Sequence, residues 1–283
     1  MDSLGIDIGG TSVKLAALRD GQKLWTGQSP LYSRPTTEQL LGAMRAAAGG
    51  REVRAAIAGL CVPGLLDKAT RTITLAVNVP GLVGVPLNEL VDRAFGNKDG
   101  SRGAIGRIQI INDAVAAASD LAAARGLRGR LLALAIGTGV GAAVLDDGVP
   151  LMVEGESPGH IGQLDVSIPG ADVIGPDGGA GSLEGYLGAP VLRDRYGEGA
   201  LEKMRIEDPP LQALVRAIRI CHAIYRPHHV CLLGGIGTRL TRLLSQIKAA
   251  VDSNLTSVAR RDWQLTLGDH DFHAALGAAR LAR

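Results

Sequence analysis

The sequence of 283 residues predicts two related α/β domains, and three observations support this fold class. Each half of the chain opens with strands that are joined by a glycine-rich turn. Helices and strands then alternate in both halves, which is typical of layered α/β domains. Hydrophobic residues make up 46% of the chain, which is enough to fill the core of each domain. We expect the two domains to face one another, with a ligand-binding cleft between them.

The first half is predicted to contain the strands 4–8, 11–18, 22–27, 53–62 and 107–111. The dipeptide Asp20-Gly21, between the second and third of these strands, is a typical two-residue hairpin turn. Apolar residues at helical spacing predict a helix over 37–48, with Thr36 or Thr37 as its N-cap. An alanine-rich segment predicts a second helix over 114–124.

The second half is predicted to contain the strands 131–136, 141–145, 149–153, 230–233 and 263–267, and the helices 211–225, 237–251 and 271–281. The tripeptide Asp146-Asp147-Gly148 supplies its hairpin turn. The segment 158–189 is rich in glycine, proline and aspartate, and we expect it to form an ordered loop. The predicted domains comprise 1–112 and 113–270, with the closing segment 271–283 packing back on the first domain.

Composition excludes several classes of protein. The chain has 30 lysines and arginines against 28 aspartates and glutamates, so it offers no strongly basic surface for nucleic acid. Neither a signal peptide nor an apolar run long enough to cross a bilayer is visible, so we expect a cytoplasmic protein without membrane partners. Cys61, Cys221 and Cys231 form no C-x-x-C pair and lie in apolar runs, which predicts buried thiols.

The turn after the first strand is a candidate phosphate site. Asp7 ends the strand, Gly9 and Gly10 let the backbone approach a ligand closely, and Thr11 adds a hydroxyl. Such a turn offers N–H groups to phosphate oxygens, and the carboxylate of Asp7 can hold a water molecule that is bound to a metal. An ordinary β-hairpin is the alternative interpretation.

A second glycine-rich turn, containing Gly137, Thr138 and Gly139, offers the same donors from the other half. Two such turns at equivalent places favour phosphate binding over two ordinary hairpins. Neither matches a P-loop or a dinucleotide-binding fingerprint. Gly234 and Gly235 follow a buried strand, where a flat backbone can lie against a nucleotide or merely form a tight turn.

Asn112 and Asp113 stand where a strand gives way to a helix. Both residue types are good helix caps, and capping alone would explain them. The carboxyl end of a strand is also where open α/β sheets bind ligands. There Asp113 can orient a substrate hydroxyl and accept its proton as a phosphoryl group is transferred.

Together these motifs resemble those of the ROK family (repressors, open reading frames and kinases), which includes sugar kinases of the actin-like ATPase superfamily. The resemblance extends over nearly the whole chain. It rests on 7–11, 62–64, Asn78 with Pro80-Gly81, Asn112-Asp113, 137–141, 159–162, 183–186 and 233–235. It implies two ribonuclease-H-like domains around a cleft, and ATP-dependent phosphorylation of a hexose or N-acylhexosamine. It also implies Mg²⁺ held through water by Asp7, and a homodimer.

The resemblance implies roles for individual residues. Asp113 is similar to the catalytic base, the turns at 9–11 and 137–139 to the phosphate clamps, and Gly234-Gly235 to the adenosine floor. The implied sugar contacts are Gly64, Asn78, Asn112, His160 and Glu184.

Two departures from the family pattern affect these expectations. Gly175, Asp177 and Ser182 stand where most members have zinc-binding cysteines, so we predict no structural zinc. Ser157 stands where a sugar-binding glutamate is usual, and the neighbouring Glu156 is the candidate replacement.

Three alternatives remain open besides an ATP-dependent sugar kinase, for which a glucose-type hexose is favoured. The first is a sugar-binding protein without catalytic activity, which the two departures motivate. The second is a glucokinase that uses polyphosphate. The third is a transcription factor, but the phosphate turn begins at Asp7 and leaves no room for a preceding DNA-binding domain.

Overall fold

The computed structural model describes residues 2–96, 105–153, 159–176 and 178–282. Within these ranges the chain forms two compact units, one of Met1–Asp120 with Phe272–Arg283 and one of Leu121–Asp271. The sequence predicted a boundary after residue 112, whereas the units divide after Asp120, inside the helix that follows.

The strands in the described part of the chain are β1 (Ser3–Ile8), β2 (Val13–Arg19), β3 (Gln22–Gln28), β4 (Ala55–Cys61), β5 (Leu65–Asp67), β6 (Thr72–Leu75), β7 (Ile105–Ile110), β8 (Arg130–Ile136), β9 (Val140–Asp146), β10 (Val149–Pro150), β11 (His229–Leu233) and β12 (Gln264–Leu267). The helices are α1 (Thr37–Ala48), α2 (Leu87–Phe95), α3 (Asp113–Arg125), α4 (Leu183–Leu187), α5 (Ala189–Tyr196), α6 (Ala200–Lys203), α7 (Pro209–Tyr225), α8 (Gly234–Gly237), α9 (Leu244–Asp252) and α10 (His273–Leu281). Short 3-10 helices occupy Pro80–Leu82, Ile161–Gln163 and Leu240–Leu243.

The first unit is built on a sheet with the strand order β3-β2-β1-β4-β7. Strand β1 pairs antiparallel with β2 and parallel with β4, which in turn pairs parallel with β7. Parallel β1, β4 and β7 therefore end at the same edge, which places their following residues side by side. The hairpin of β5 and β6 forms a separate small sheet in this unit.

Two helices, α1 and α10, illustrate how the sequence determines the structure of the first unit. The hydroxyl of Thr36 accepts a hydrogen bond from the backbone of Gln39, whose side chain accepts one from Thr36 in return. This capping box identifies Thr36 as the N-cap of α1. At the other end of the chain, α10 packs on β1 and β4, where a Cβ at Gly59 would lie 2.1 Å from the backbone oxygen of Ala278.

The second unit repeats this plan, with the strand order β10-β9-β8-β11-β12. Strand β8 pairs antiparallel with β9 and parallel with β11, and β11 pairs parallel with β12. Its core is formed by these strands with α4, α7 and α9. None of the helices in the described ranges has the length and apolar character needed to cross a membrane.

Some predicted elements were wrong in extent. The helix predicted over 237–251 is not continuous: α8 ends at Gly237, a 3-10 helix spans Leu240–Leu243, and α9 begins at Leu244. The strand predicted over 149–153 pairs as a strand only at Val149 and Pro150, although the N–H of Leu151 still donates to the oxygen of Val144 at 2.8 Å. Helix α2 and the hairpin of β5 and β6 were not predicted.

Candidate active site

The first unit gathers polar groups at the edge where its parallel strands end. Asp7 lies near the end of β1, in register with Lys14 on β2 and with Cys61 on β4. The side chain of Cys61 is buried, as predicted for all three cysteines. Burial and the charges of Asp7 and Asp113 raise the pKa of the Cys61 thiol, so the thiol stays protonated.

Burial and, to a smaller extent, the charge of Asp113 raise the pKa of Asp7 to about 6, against the opposing charge of Lys14. The carboxylate of Asp113 is therefore close enough to act on Asp7. Burial also raises the pKa of Asp113, although part of its side chain faces solvent. Perturbed carboxylates that cluster at the carboxyl edge of a sheet are typical of functional sites.

The structure separates the roles of Asn112 and Asp113. The Oδ1 atom of Asn112 accepts a hydrogen bond from the backbone of Val115 at 3.0 Å, so Asn112 caps α3. Asp113 accepts a bond only 2.7 Å long from its neighbour Ala114, which lowers the pKa of Asp113 against the effect of burial. Capping thus explains Asn112, and it leaves the exposed Asp113 carboxylate available for chemistry.

We call residues 9–12 the first turn. The backbone N–H of Gly9 donates to the oxygen of Ser12 at 2.9 Å, which closes the turn with Gly10 and Thr11 at its tip. Thr11 is exposed and Gly10 half-buried, so the tip is accessible to a ligand. The hydroxyl of Tyr32, which the sequence did not single out, donates to the backbone oxygen of Gly9 at 2.7 Å.

Gly64 and Asn78, the other implied sugar contacts of the first unit, flank the hairpin of β5 and β6. Gly64 has a φ of +104°, and a Cβ there would lie 2.1 Å from the backbone oxygen of Leu75. The chain therefore needs glycine at this position for packing alone. The side chain of Asn78 is exposed just before the 3-10 helix Pro80–Leu82.

In the second unit, we call residues 137–140 the second turn. The N–H of Gly137 donates to the oxygen of Gly139 at 2.9 Å. Glu184, at the start of α4, accepts a hydrogen bond from the backbone of Val140 at 2.9 Å. A Cβ at Gly139 would lie 2.8 Å from the carboxylate of Glu184, so only glycine allows this approach. Glu184, implied as a sugar contact, thus also supports the second turn.

His160 is exposed and immediately precedes the 3-10 helix Ile161–Gln163. That helix packs against the second turn, because a Cβ at Gly162 would lie 2.3 Å from the oxygen of Val140. The structure thus brings His160, Glu184 and the second turn into one region of the second unit. Glu156 and Ser157 lie outside the described residues.

Gly234 and Gly235 begin α8 directly after β11. Gly234 has a φ of +78° and its backbone contacts Ile136 at the end of β8, whereas the space beside Gly235 is open. A cavity of about 230 Å³ lies next to Ile236. It is lined by Ala189, Leu192, Arg193, Gly197, Glu198, Gly199, Ala200 and Leu201.

The loop 163–182 is held by protein contacts at the positions where the family pattern has zinc ligands. Gly175 has no ligand atom, and the hydroxyl of Ser182 accepts a hydrogen bond from Gly185 as the cap of α4. Asp177 lies outside the described residues. The buried hydroxyl of Tyr186 donates to Ala171 and accepts from Ile168. Gly175 and Ser182 therefore do not fit a zinc site, which needs thiolate or imidazole ligands.

The chain is similar in sequence and in fold to known proteins. The ROK family model matches residues 3–283. An N-acetyl-D-glucosamine kinase of Erwinia tasmaniensis is 25% identical over 90% of this chain and 91% of its own. The structure of a ROK family glucokinase from Streptomyces griseus, in complex with glucose and AMPPNP, has a TM-score of 0.71 at 20% identity and covers 99% of each chain. A ROK hexokinase from Thermus thermophilus has a TM-score of 0.67 at 24% identity, over 100% of this chain and 98% of its own. These likenesses confirm the predicted actin-like ATPase fold.

Proposed function

The chain belongs to the ROK family, and we propose that it is an ATP-dependent kinase that phosphorylates a hydroxyl of a hexose or an N-acylhexosamine. One observation carries the proposal. Asp7, the first turn and Asp113 meet at the carboxyl edge of one sheet, which supplies a phosphate-binding turn and a base together. The kinases among the similar proteins support the same reaction.

Asp113 acts as the base in this proposal. Burial raises its pKa, which makes it a better proton acceptor than an ordinary aspartate. The sugar hydroxyl donates its proton to the Asp113 carboxylate as its oxygen bonds to the γ-phosphorus of ATP, and the bond from that phosphorus to the bridging oxygen breaks to release ADP. Because the transition state of phosphoryl transfer is loose, orientation of the hydroxyl matters as much as basicity.

Asp7 suits the cation that accompanies ATP. Mg²⁺ prefers oxygen ligands and keeps several of its water molecules, so one carboxylate at the edge of the first turn fits it. When bound, the cation neutralises charge on the phosphates. With a pKa of about 6, Asp7 is mostly ionised at pH 7 and can hold the ion through water.

The cavity beside Ile236 favours ATP over polyphosphate as the phosphoryl donor. Its walls are largely apolar, from Ala189, Leu192 and Leu201, which suits one face of a purine ring. At about 230 Å³ it is smaller than a typical drug-sized site and accommodates a ring system rather than a whole nucleotide. Polyphosphate has no group that would use such a cavity.

The sugar is proposed to bind through Asn112 and His160. The cap uses Oδ1 of Asn112, and its Nδ2 amide can donate to a sugar oxygen. The exposed imidazole of His160 can bond a hydroxyl without a metal partner. Glucose-type hexoses and N-acetylated hexosamines both fit this description, and the similar proteins include a kinase for each.

The test is ADP release by the purified protein with glucose, mannose, N-acetylglucosamine and N-acetylmannosamine, using ATP and then polyphosphate as donors. We expect turnover with at least one sugar and ATP. Asp113→Asn should lower kcat by at least about 100-fold, in line with the loss of a general base, and leave nucleotide affinity unchanged. Asp92→Asn, on the exposed face of α2, is the matched control. Full activity of the Asp113→Asn variant contradicts the assignment, and absence of turnover in every combination contradicts the proposed function.

A further inference from the structure

The first turn is held from behind by residues 28–32, which we call the bracing segment. The hydroxyl of Tyr32 donates to the backbone oxygen of Gly9 at 2.7 Å. The backbone N–H of Tyr32 donates to the backbone oxygen of Thr11 at 2.9 Å. Ser29 exchanges two further bonds with Val13, of 2.9 and 3.0 Å. One residue, Tyr32, thus binds two carbonyl groups of the first turn.

Those two bonds have an electrostatic consequence. A turn binds an anion through its N–H groups, and any carbonyl oxygen that points at the ligand repels it. The donors of Tyr32 occupy the oxygens of Gly9 and Thr11 and fix the direction in which both peptide groups point. The N–H groups at the tip of the turn are then kept available for phosphate oxygens.

We propose that Tyr32 is a positioning residue that holds the first turn in its phosphate-binding conformation, an inference that rests on the proposed kinase function. Tyr32 lies 21 positions beyond Thr11 and acts on ATP only through the backbone of the turn. The two bonds of Tyr32 to the turn set the affinity for the nucleotide phosphates rather than the affinity for the sugar.

The surroundings keep the phenol in the state that the proposal needs. Burial and the nearby charge of Asp7 both raise the pKa of Tyr32 above its usual value. The hydroxyl therefore remains protonated, and a donor, throughout the pH range in which a kinase is assayed. The half-buried ring also packs against the core of the first unit, which limits its movement.

The variant Tyr32→Phe removes one bond and keeps the ring. We expect the dissociation constant for AMPPNP, measured by calorimetry, and the KM for ATP to rise about three- to tenfold, as the loss of one hydrogen bond implies. The KM for the sugar should stay unchanged. Calorimetry reports nucleotide binding without turnover, so the result does not depend on knowing the sugar.

Ser29→Ala is the matched control, because the hydroxyl that it removes accepts a bond from Val13 and donates one to Pro30, and contacts neither Gly9 nor Thr11. We expect it to lower the melting temperature while leaving the affinity for AMPPNP unchanged. Equal weakening in both variants would overturn the proposal, since general loosening of the segment would then explain the effect. Unchanged affinity in the Tyr32→Phe variant would overturn it as well. Failure of the wild-type protein to transfer phosphate, with nucleotide binding intact, would instead contradict the proposed function and leave the effect of Tyr32 measurable.

Discussion

At the scale of single residues, the charge of Lys14 opposes the effect of burial on the ionisation of Asp7. Burial holds the pKa of Asp7 at about 6, and Lys14 is the group that lowers it. If ionised Asp7 is needed for the reaction, activity falls as pH decreases through about 6. In the Lys14→Met variant the opposing charge is lost, the pKa of Asp7 rises, and the acidic limb of activity moves to higher pH.

The measurement is kcat/KM for ATP between about pH 5 and 8, a range centred on the expected transition. Lys14→Arg keeps the positive charge and should reproduce the wild-type profile. An acidic limb at the same pH in all three proteins would show that Asp7 does not govern it.

His222 on α7 is a second residue whose surroundings imply a measurable effect. It is 1% exposed, and neither ring nitrogen has a hydrogen-bond partner in the described structure. Its ring meets Trp263 edge-on, with centroids 4.6 Å apart. Burial lowers the pKa of His222 to about 4 from 6.5. The unfolded chain therefore binds more protons between these values, and stability is lost as pH falls from 6.5 towards 4.

We expect His222→Leu to reduce this acid sensitivity, because the variant has no group to protonate and no unpaired buried nitrogens. Removal of an unsatisfied buried polar group raises the free energy of unfolding by about 1–3 kcal/mol. The test compares melting temperatures at neutral and acidic pH in the wild type, His222→Leu and the control His229→Gln, whose ring is partly exposed. An equal drop in melting temperature for all three would contradict the role of His222.

The candidate site could be predicted where the chemistry is local in sequence. Asp7 with its glycines, and Asp113 at the start of a helix, each present a carboxylate or a turn within a few residues. Tyr32 could not be found in this way, because its contact with Gly9 arises only when β3 pairs back along β2. The packing requirement at Gly64 is equally invisible, since it depends on the fold of a hairpin that the sequence did not reveal.

At the scale of elements, prediction succeeded where one signal dominated. The alternating strands of both sheets and the capped helix α1 were recognised, and their ends differ by a few residues at most. Helix α2 carried a usable signal that was not read, since Leu87, Leu90, Val91 and Ala94 form one buried face. The break after α8 had no comparable signal, because apolar residues at helical spacing continue through it.

The loop 163–182 supports a prediction about metal removal. Its order depends on Tyr186, whose buried hydroxyl bonds the backbones of Ile168 and Ala171. We expect chelators to leave the melting temperature unchanged, because the described residues at the zinc positions offer no ligand set. Tyr186→Phe should lower the free energy of unfolding by about 1–3 kcal/mol and increase the rate of proteolytic cleavage within the loop.

Metal analysis of the purified protein completes this test. Tyr196→Phe, on α5, serves as the control for loss of a hydroxyl elsewhere in the second unit. Stoichiometric zinc, or a melting temperature that falls on chelation, would show that residues other than Gly175 and Ser182 hold a metal ion, for which Asp120, His270 and His273 are the candidates outside this loop.

At the scale of the whole molecule, the same sheet order occurs in both units, antiparallel in its first strands and parallel in its last. The sequence shows no repeat of residues that would reveal this, and the prediction rested on the paired glycine turns and on the repeated order of predicted strands and helices. The homodimer implied by the family resemblance stays a prediction, which the molar mass in solution tests.

The chain closes its first unit with its last helix. Helix α10 lies on β1 and β4 so closely that Gly5 and Gly59 have no room for a side chain. The buried carboxylate of Asp120 on α3 accepts a hydrogen bond from Arg280 and lies 2.8 Å from Nδ1 of His273, which fastens both ends of α10. The stability of the first unit therefore depends on contacts between the last helix of the chain and elements near its beginning.

This dependence predicts opposite effects of one substitution at two glycines. In Gly59→Ala the new Cβ would lie 2.1 Å from the oxygen of Ala278, so α10 must shift, at a cost of about 1–3 kcal/mol. Gly42 is exposed in the middle of α1 with open space around it. Gly42→Ala should therefore raise the free energy of unfolding by as much as about 1 kcal/mol, because alanine has the higher helix propensity. Calorimetry should show the first unit melting earlier in Gly59→Ala while the transition of Leu121–Asp271 stays in place. A Gly59→Ala protein as stable as Gly42→Ala would mean that α10 does not hold the first unit together.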